Sequence, residues 1–207
     1  MDYQRFGQIS PCEYADALPR SQFMSPQIRE LWPQIPRIAG PAFTVKCAPG
    51  DHLMLHAAIY RAKPGDVIVV QADPDFAVAG GNVCAIAQQR GIAGFVVDGV
   101  IRDLAETRDI RFPVFARGVI PKPGAKKQLS PLNQPILCGG VTVNPGDIVI
   151  ADEEGIAVVP KDDAEEAYRI AKARTDKDTA MSLDQWREQH HAKVEEILHS
   201  LGFQDNE

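Results

Sequence analysis

Residues 79–106 constrain the chain most, because they join a flexible turn, a helix, a buried strand and a polar cluster in one short stretch. The turn contains Gly80 and Gly81, and apolar residues at helical spacing follow it. Gly91 is expected to end that helix. Residues 95–97 are a short apolar run typical of a buried strand. The stretch therefore predicts strand-and-turn structure around one polar cluster.

The polar cluster follows the strand. Asp98-Gly99 predicts a turn, and Arg102-Asp103 then places a cation beside a carboxylate. Arg102 could hold a carboxylate ligand through two parallel hydrogen bonds. Asp103, with Glu106 three positions on, could hold a hard divalent cation through oxygen ligands and water. These residue types together are suited to a metal-assisted carboxylate site.

The glycine turn could form the other side of that site. Gly80 and Gly81 have no Cβ, so they let the backbone approach a ligand closely. The amides of Asn82 and Val83 are expected at a helix N-terminus, where an anion is favoured. The combined prediction is a site for a small carboxylate next to a metal. The alternative is a structural turn with a surface Arg–Asp pair, which is common and weakly stabilising.

The spacing of these residues resembles a family signature. Gly81, twenty residues, Arg102-Asp103, two residues and Glu106 resemble the motif of the RraA-like family. That family contains the 4-hydroxy-4-methyl-2-oxoglutarate and 4-carboxy-4-hydroxy-2-oxoadipate aldolases, and also the regulator of ribonuclease activity A. One branch has Asp at the first motif position. This chain has Gly81 there and resembles the branch in which an acid after Arg-Asp, here Glu106, takes that place. The resemblance covers about residues 10–180 and includes the stretches GPAFTVKCAPGDHLMLHAAIYRAKPGDVIVV, FPVFARG and NPGDIVIADEEGIAVVP.

The resemblance implies a fold and an assembly. The family's fold is a compact α/β sandwich of the swivelling β/β/α kind, similar to phosphohistidine domains. We therefore expect one domain over residues 1–207, with a core at about 10–160 and a C-terminal helical extension at about 162–202. Family members are usually trimers or dimers of trimers with sites at subunit junctions. This implies a homotrimer or homohexamer, in which Asp176 or Asp178 would come closest to a neighbouring subunit's site.

The resemblance also implies a reaction. It is a class II aldolase reaction that uses Mg²⁺ or Mn²⁺ and releases pyruvate from a 4-hydroxy-2-oxo acid, with oxaloacetate decarboxylation as a second activity. Asp103 and Glu106 would orient the metal; Arg102, Gly80, Gly81 and the Asn82 and Val83 amides would bind the oxo acid. The alternatives are a protein-binding regulator of a ribonuclease, and a lyase for a different oxo or sugar acid.

Composition and charge limit the classes of partner and the environment that we expect for this chain. The formal net charge is −6, and Lys126-Lys127 is the longest basic run, which argues against nucleic-acid binding. No apolar run approaches the ~20 residues of a membrane span. The N-terminal residues lack the apolar segment of a signal peptide. The four cysteines form no CxxC motif, so we expect buried thiols in a reducing cytoplasm.

A second candidate group lies on a helix predicted over residues 51–62, with Asp51 as its N-cap. His52 and His56 are four residues apart and therefore share one helix face. This spacing can bind zinc, but Leu53 stands where the HExxH motif has Glu. Packing of His56 in the core, or a place in the pocket wall, remains an alternative.

Further elements follow from turn and capping residues. Pro26 predicts a short helix over residues 26–32. Asp66 and Asp147 recur in two similar Pro-Gly-Asp turns before strands and are expected to cap them. Residues 118–135 hold four prolines and two glycines and are expected to form a loop. Ser182 and Gln185 predict a capping box for a last helix with a wide apolar stripe. Arg117 is expected at a strand end, outside the site.

Overall fold

The computed structural model describes residues 2–204 and has the mixed α/β fold that the sequence predicts. Helices and strands alternate through the first two thirds, and two long helices close the chain. The strands are β1 (Arg29–Glu30), β2 (Ile38–Lys46), β3 (Val67–Gln71), β4 (Gly94–Ile101), β5 (Val114–Val119), β6 (Ile136–Cys138), β7 (Val141–Val143), β8 (Ile148–Asp152) and β9 (Gly155–Val159). The α-helices are α1 (Leu53–Ala58), α2 (Gly81–Gln89), α3 (Leu104–Asp109), α4 (Ala164–Ala180) and α5 (Leu183–Ser200).

Seven of the described strands form one curled sheet in the order β1-β5-β4-β3-β2-β8-β9. Strands β2 to β5 run parallel, whereas β8 and β9 are antiparallel to their neighbours. β2 belongs to both parts, because residues 38–41 pair with β8 and residues 42–46 pair with β3. Gly40 lies at this change of partner, where a Cβ would come within 2.1 Å of the Gly65 carbonyl oxygen. β6 and β7 form a separate hairpin.

The parallel strands are buried on both faces, which explains their continuous apolar sequence. In β3, Ile68 and Val70 pack on the side of α1 and α2. Val67 and Val69 point the other way, towards the β6–β7 hairpin. The same alternation of faces continues through β4 and β5. α1, α2 and α3 follow β2, β3 and β4 in the chain. They therefore begin at the edge where these parallel strands end, and that edge carries the polar residues.

The N-terminal region packs on β8, β9 and α4 through a third apolar cluster that includes Phe6, Tyr14 and Ile150. Residues 11–16 are a 3₁₀ helix, with Ser10 Oγ accepting from the Cys12 amide at 3.4 Å. The helix predicted over residues 26–32 is wrong. That segment is a turn followed by β1, which pairs with β5.

The α1 boundaries, the turns and the cysteines agree with the sequence predictions only in part. α1 is shorter than the predicted helix, and His52, not Asp51, stands at its N-cap. The turn predicted at Asp98-Gly99 is wrong, because both residues lie within β4 at a bulge. Asp66 and Asp147 cap their turns as predicted, each accepting a backbone amide at 2.8 Å. Cys47, Cys84 and Cys138 are buried thiols, whereas Cys12 is exposed.

The two C-terminal helices differ in how they pack. α4 buries alanines at 164, 167 and 171 against the N-terminal region. α5 begins with the predicted capping box of Ser182 and Gln185, yet none of its side chains is buried. Within residues 2–204, none of the helices has the length and apolarity needed to cross a bilayer.

Candidate active site

The polar residues meet at the carboxyl ends of β3 and β4. After β3 the chain returns along β4, with the Val78 amide donating to the Val100 carbonyl at 3.0 Å. The Arg102 amide then donates to the Ala79 carbonyl at 2.9 Å. These two bonds hold the glycine turn against the end of β4, although twenty residues separate Gly81 from Arg102. A crevice at the carboxyl ends of parallel strands is where open α/β sheets usually bind ligands.

Gly80 and Gly81 are needed because two carboxylates pack directly against their backbone. A Cβ at Gly80 would lie 2.4 Å from Asp103 Oδ2, and one at Gly81 would lie 1.9 Å from Glu106 Oε2. The Gly81 amide donates to Asp103 Oδ2 at 3.2 Å. Asp103 therefore places its negative charge at the N-terminus of α2, where the helix dipole favours it.

The backbone of Asp103 is in the left-handed region, with φ 56° and ψ 45°. This conformation costs on the order of 1 kcal/mol for a residue with a Cβ. It is maintained by Thr107, whose amide and hydroxyl both donate to the Asp103 carbonyl at 3.1 Å. Thr107 is fully buried. The conformation turns the carboxylate towards Gly81 and towards Arg102 Nε, which lies 3.3 Å from Oδ2.

A small open pocket of about 120 Å³ lies over this corner. Arg102 and Asp103 line it from the end of β4, and Gly80, Asn82 and Val83 line it from the start of α2. The remaining walls come from α1 and from the Pro-rich loop that follows β5. His52 and His56 line it from α1 and its N-cap, and Pro123 and Lys126 line it from the loop. Residues 77–79, which lead into α2, complete the lining.

The wall from α1 and the loop is held together by Asp51. This buried carboxylate accepts the amides of Leu53 at 2.8 Å, Lys127 at 2.6 Å and Gln128 at 3.2 Å. Burial alone would raise the pKa of Asp51, but the three amides outweigh it, and its pKa lies below the ordinary value. Asp51 thus stays ionised and fixes the loop segment that carries Lys126.

The two histidines are stacked, with ring centroids 4.4 Å apart and planes at 14°. Burial, then the neighbouring His52, Lys126 and Arg102, lowers the pKa of His56 to about 4. Burial is also the main cause of the lowered pKa of His52. Both rings are therefore uncharged at neutral pH, and Arg102 and Lys126 give the pocket its positive charge.

The pocket's donor set fits a hard divalent cation that retains water. Among residues 2–204, no three His, Cys, Asp or Glu side chains lie together as a preformed metal cage. Mg²⁺ usually binds through one or two carboxylates and completes its shell with water and substrate. Asp103 lies at the pocket wall with its side chain 35% exposed, so its carboxylate is open to such an ion. Imidazole nitrogens, by contrast, are better suited to transition metals.

The structure brings together most of the residues predicted from the sequence. Gly81 and Glu106 touch each other behind the pocket wall and do not line it. Arg117 lies outside the pocket, as predicted, and pairs with Asp98. The strand end predicted for it is wrong, because β5 continues to Val119. Asp176 and Asp178 pair with Lys172 and Arg174 on α4; whether either reaches a neighbouring subunit stays a prediction.

Lys126 and Pro123 line the pocket although the sequence does not predict them there. Both lie in the Pro-rich loop, which reaches the site through a bridge between Ala77 and Pro123 and another between Asp51 and Ala125. These contacts join residues far apart in the chain. The one local feature was the Lys126-Lys127 pair, which by itself is typical of a solvated surface.

Comparison with known proteins agrees with the motif. The model of the RraA-like family, described as Aldolase/RraA, matches residues 11–158. A protein from Halalkalibacterium halodurans with the provisional name 4-hydroxy-4-methyl-2-oxoglutarate aldolase is 43% identical over 146 residues, which is 70% of each chain. A protein from Burkholderia multivorans with the same provisional name is 35% identical over 59% of this chain and 75% of its own.

Solved structures share the fold. A protein of unassigned activity from Pseudomonas syringae pv. tomato has a TM-score of 0.78 at 28% identity, over 90% of this chain and 92% of its own. Streptomyces coelicolor RraAS2, described as an unusual member of the RNase ES inhibitor RraA protein family, has a TM-score of 0.71 at 28% identity. That match covers 92% of this chain and 96% of the Streptomyces chain.

Proposed function

We propose that this chain, which belongs to the RraA-like family, is a divalent-metal-dependent aldolase. Its substrate would be a 4-hydroxy-2-oxo acid of the 4-hydroxy-4-methyl-2-oxoglutarate type, cleaved to pyruvate and a second oxo acid. The observation that carries the proposal is the meeting of Arg102 and Asp103 with the start of α2 in one pocket. In such a pocket, a cation that can bind an oxo acid lies beside a carboxylate that can bind a metal ion.

Each residue has a role in that reaction. Asp103 would hold Mg²⁺ or Mn²⁺, with Glu106 acting on the metal's water ligands from behind Gly81. The metal would supply a Lewis acid that polarises the oxo acid and accepts negative charge. Arg102 would bind the substrate's carboxylate and keto oxygens and stabilise the enolate that forms as the carbon–carbon bond breaks. The amides of Asn82 and Val83 would bind the carboxylate at the start of α2.

The same enolate forms when oxaloacetate loses CO₂, so oxaloacetate decarboxylation is proposed as a second activity. The pocket's small volume and its two cations, Arg102 and Lys126, are compatible with small anionic substrates of this kind. No lysine Schiff base is required, because the metal would serve as the electron sink. The proposed assembly is a homotrimer or homohexamer.

A protein-binding role is the competing function, since one structural relative is described as belonging to an RNase inhibitor family. A binding surface alone has no need of Asp103 in a left-handed conformation or of an acid packed on Gly81. Those features favour an enzyme. An enzyme for a different oxo or sugar acid would use the same corner of the pocket and differ in the wall opposite.

The test is pyruvate release from oxaloacetate and from 4-hydroxy-4-methyl-2-oxoglutarate, followed with lactate dehydrogenase and corrected for spontaneous decarboxylation. We expect release with Mg²⁺ or Mn²⁺ and none with EDTA. Arg102→Ala should lower turnover by ~100-fold or more, whereas Arg108→Ala, on the exposed side of α3, should leave it unchanged. If pyruvate is released from neither substrate, the proposal is refuted, and the protein-binding role or an enzyme for a different acid is favoured.

A further inference from the structure

The stacked histidines of α1 face the pocket, but the metal and carboxylate chemistry proposed above makes no use of them. His52 and His56 line the same pocket as Arg102 and Asp103. Their rings lie 4.4 Å apart and nearly parallel, so each restricts the other's rotation. Cleavage of a 4-hydroxy acid requires a base for the hydroxyl proton as well as a cation for the oxo acid. An imidazole in the pocket wall can provide such a base.

The hydrogen bond of His52 determines which nitrogen is available. Its Nδ1 lies 3.4 Å from the Ala77 carbonyl oxygen. Because a carbonyl can only accept, we assign the proton to Nδ1. Nε2 then carries the lone pair of the neutral ring and can accept a proton from a ligand. The Ala77 carbonyl therefore holds His52 in the tautomer that a general base needs.

The charges around the two rings distinguish His52 from His56. Burial lowers both pKa values, and Lys126 and Arg102 lower both further. For His52 this effect is opposed by the Ala77 carbonyl and by the neighbouring Asp51 carboxylate, whereas for His56 it is opposed by a Val78 backbone hydrogen bond and by no carboxylate. His56 has a pKa of about 4, which makes it a poor base. His52 is therefore the better proton acceptor, and His56 supports it through the stack.

We propose that His52 is a catalytic base that removes the proton from the C4 hydroxyl group of the substrate. The proposal rests on the aldolase function proposed above. As Nε2 takes the proton, the C4 oxygen forms a carbonyl and the C3–C4 bond breaks. Its electron pair forms the pyruvate enolate. The proton then passes from His52 to solvent, and C3 of the enolate takes a proton from solvent, so that the two products and neutral His52 result.

The two proposed activities separate this role from a structural one. Oxaloacetate loses CO₂ without a hydroxyl proton to remove, so its decarboxylation does not need the base. His52→Gln and His52→Ala should each lower kcat for 4-hydroxy-4-methyl-2-oxoglutarate by ~10²–10⁴-fold with little change in KM. Oxaloacetate decarboxylation and the Kd for Mn²⁺ should remain close to those of the unmodified protein. Added imidazole should partly restore cleavage by His52→Ala, whose missing ring leaves space for it.

The pH profile gives a second readout. In the unmodified protein, kcat/KM for cleavage should fall at acid pH with an apparent pKa below the usual value of histidine, because protonated His52 cannot act as a base. The charged groups that act on the pKa of His52 are Lys126, Asp51 and Arg102, and the titratable ring of His56 is stacked on it. The acid limb should disappear in His52→Gln. His191→Gln on α5, where the imidazole is exposed, is the control and should keep both the rate and the limb.

Several outcomes would overturn the proposal. Equal losses of cleavage and decarboxylation would show that His52 maintains the pocket or binds the substrate. An unchanged cleavage rate in both variants would show that another group takes the proton. If the unmodified protein releases pyruvate from neither substrate, the aldolase function itself fails and the base with it. That result is distinguishable, because it is seen before any substitution is made.

Discussion

Gly80 and Gly81 leave room for two carboxylates of the candidate site to pack against the backbone. A Cβ at either position would occupy the place of a carboxylate oxygen. A glycine at the start of a helix costs up to about 1 kcal/mol relative to alanine. Here the missing side chain lets Asp103 accept the Gly81 amide and lets Glu106 lie beside it. The spacing between Gly81 and the Arg-Asp pair therefore has a steric cause.

Gly81→Ala should separate metal binding from stability. The new Cβ would lie 1.9 Å from Glu106 Oε2, and the end of that exposed side chain can move away. The gain in helix propensity should offset part of the strain, so we expect the free energy of unfolding to change by about 1 kcal/mol or less. The affinity for Mn²⁺ should fall roughly 10-fold or more, as for other losses of groups that orient a metal's ligands.

Titration with Mn²⁺ and urea unfolding of the same samples would measure both effects. Glu106→Gln should weaken Mn²⁺ binding similarly without a clash, whereas Glu153→Gln, on the exposed β8–β9 turn, should not. Undiminished Mn²⁺ affinity in Gly81→Ala and Glu106→Gln would mean that Glu106 is a surface acid with no part in the metal site.

Single residues also show how far the site could be predicted. Gly80, Asn82, Arg102 and Asp103 were predicted because a glycine turn and an Arg-Asp pair are local patterns with known chemistry, and the structure brings them together. Lys126 was missed because nothing local marks it. Its position in the pocket depends on the next two residues, whose amides donate to Asp51, more than seventy positions earlier.

At the level of elements, β4 shows where local signals fail. Asp-Gly is among the strongest turn signals, yet Asp98 and Gly99 continue the strand through a bulge. Asp98 is held there by Arg117 and by the Gly139 amide at 2.7 Å. Gly99 is required because a Cβ would come within 2.9 Å of the Ala72 side chain. Tertiary contacts, invisible in the sequence, therefore decide the conformation.

The segment before β2 departs from the predicted helix for a related reason. Pro26 is typical of a helix start, but the structure buries Ile28 and Trp32 from an irregular turn. β1 forms because β5 offers an edge to pair with. By contrast, β3 and β8 lie where the sequence predicts strands, since their apolar runs follow the two Pro-Gly-Asp turns.

The contact between α1 and the Pro-rich loop leads to a prediction about Asp51. Asp51→Asn retains the size of the side chain but removes the charge that three amides stabilise. We expect a loss of about 1–3 kcal/mol in the free energy of unfolding, as for hydrogen bonds to a buried charged group. Turnover should also fall, because the loop positions Lys126 in the pocket.

Urea unfolding and the pyruvate assay would test this. The matched control is Asp66→Asn, where the Lys63 amide donates to the carboxylate in a half-buried turn. That variant should lose less stability and keep its turnover. Equal losses of stability in the two variants would show that the Asp51 network contributes no more than an ordinary turn cap.

At the scale of the whole molecule, α5 is the helix that the rest of residues 2–204 leaves without a single buried side chain. On α5, Leu183, Trp186 and Ile197 are 80%, 46% and 44% exposed, and Leu201 at its C-cap is 77% exposed. An isolated helix of this length is only marginally stable in water, even with a good cap. A stripe of exposed apolar residues on a helix usually marks a contact surface. We therefore expect α5 to pack against a second copy of the chain in the proposed homo-oligomer.

Tryptophan fluorescence and native mass together test that expectation. In a Trp32→Phe background, Trp186 is the one tryptophan left, and packing on another copy should shift its emission to shorter wavelength than that of exposed indole. Replacing Leu183 and Leu201 together by Gln should remove that shift and lower the native mass measured by light scattering. The core should remain folded, because no α5 side chain is buried in the chain itself. An emission maximum typical of exposed indole at every protein concentration, with an unchanged native mass in the double variant, would show that α5 extends into solvent and that any assembly uses another surface.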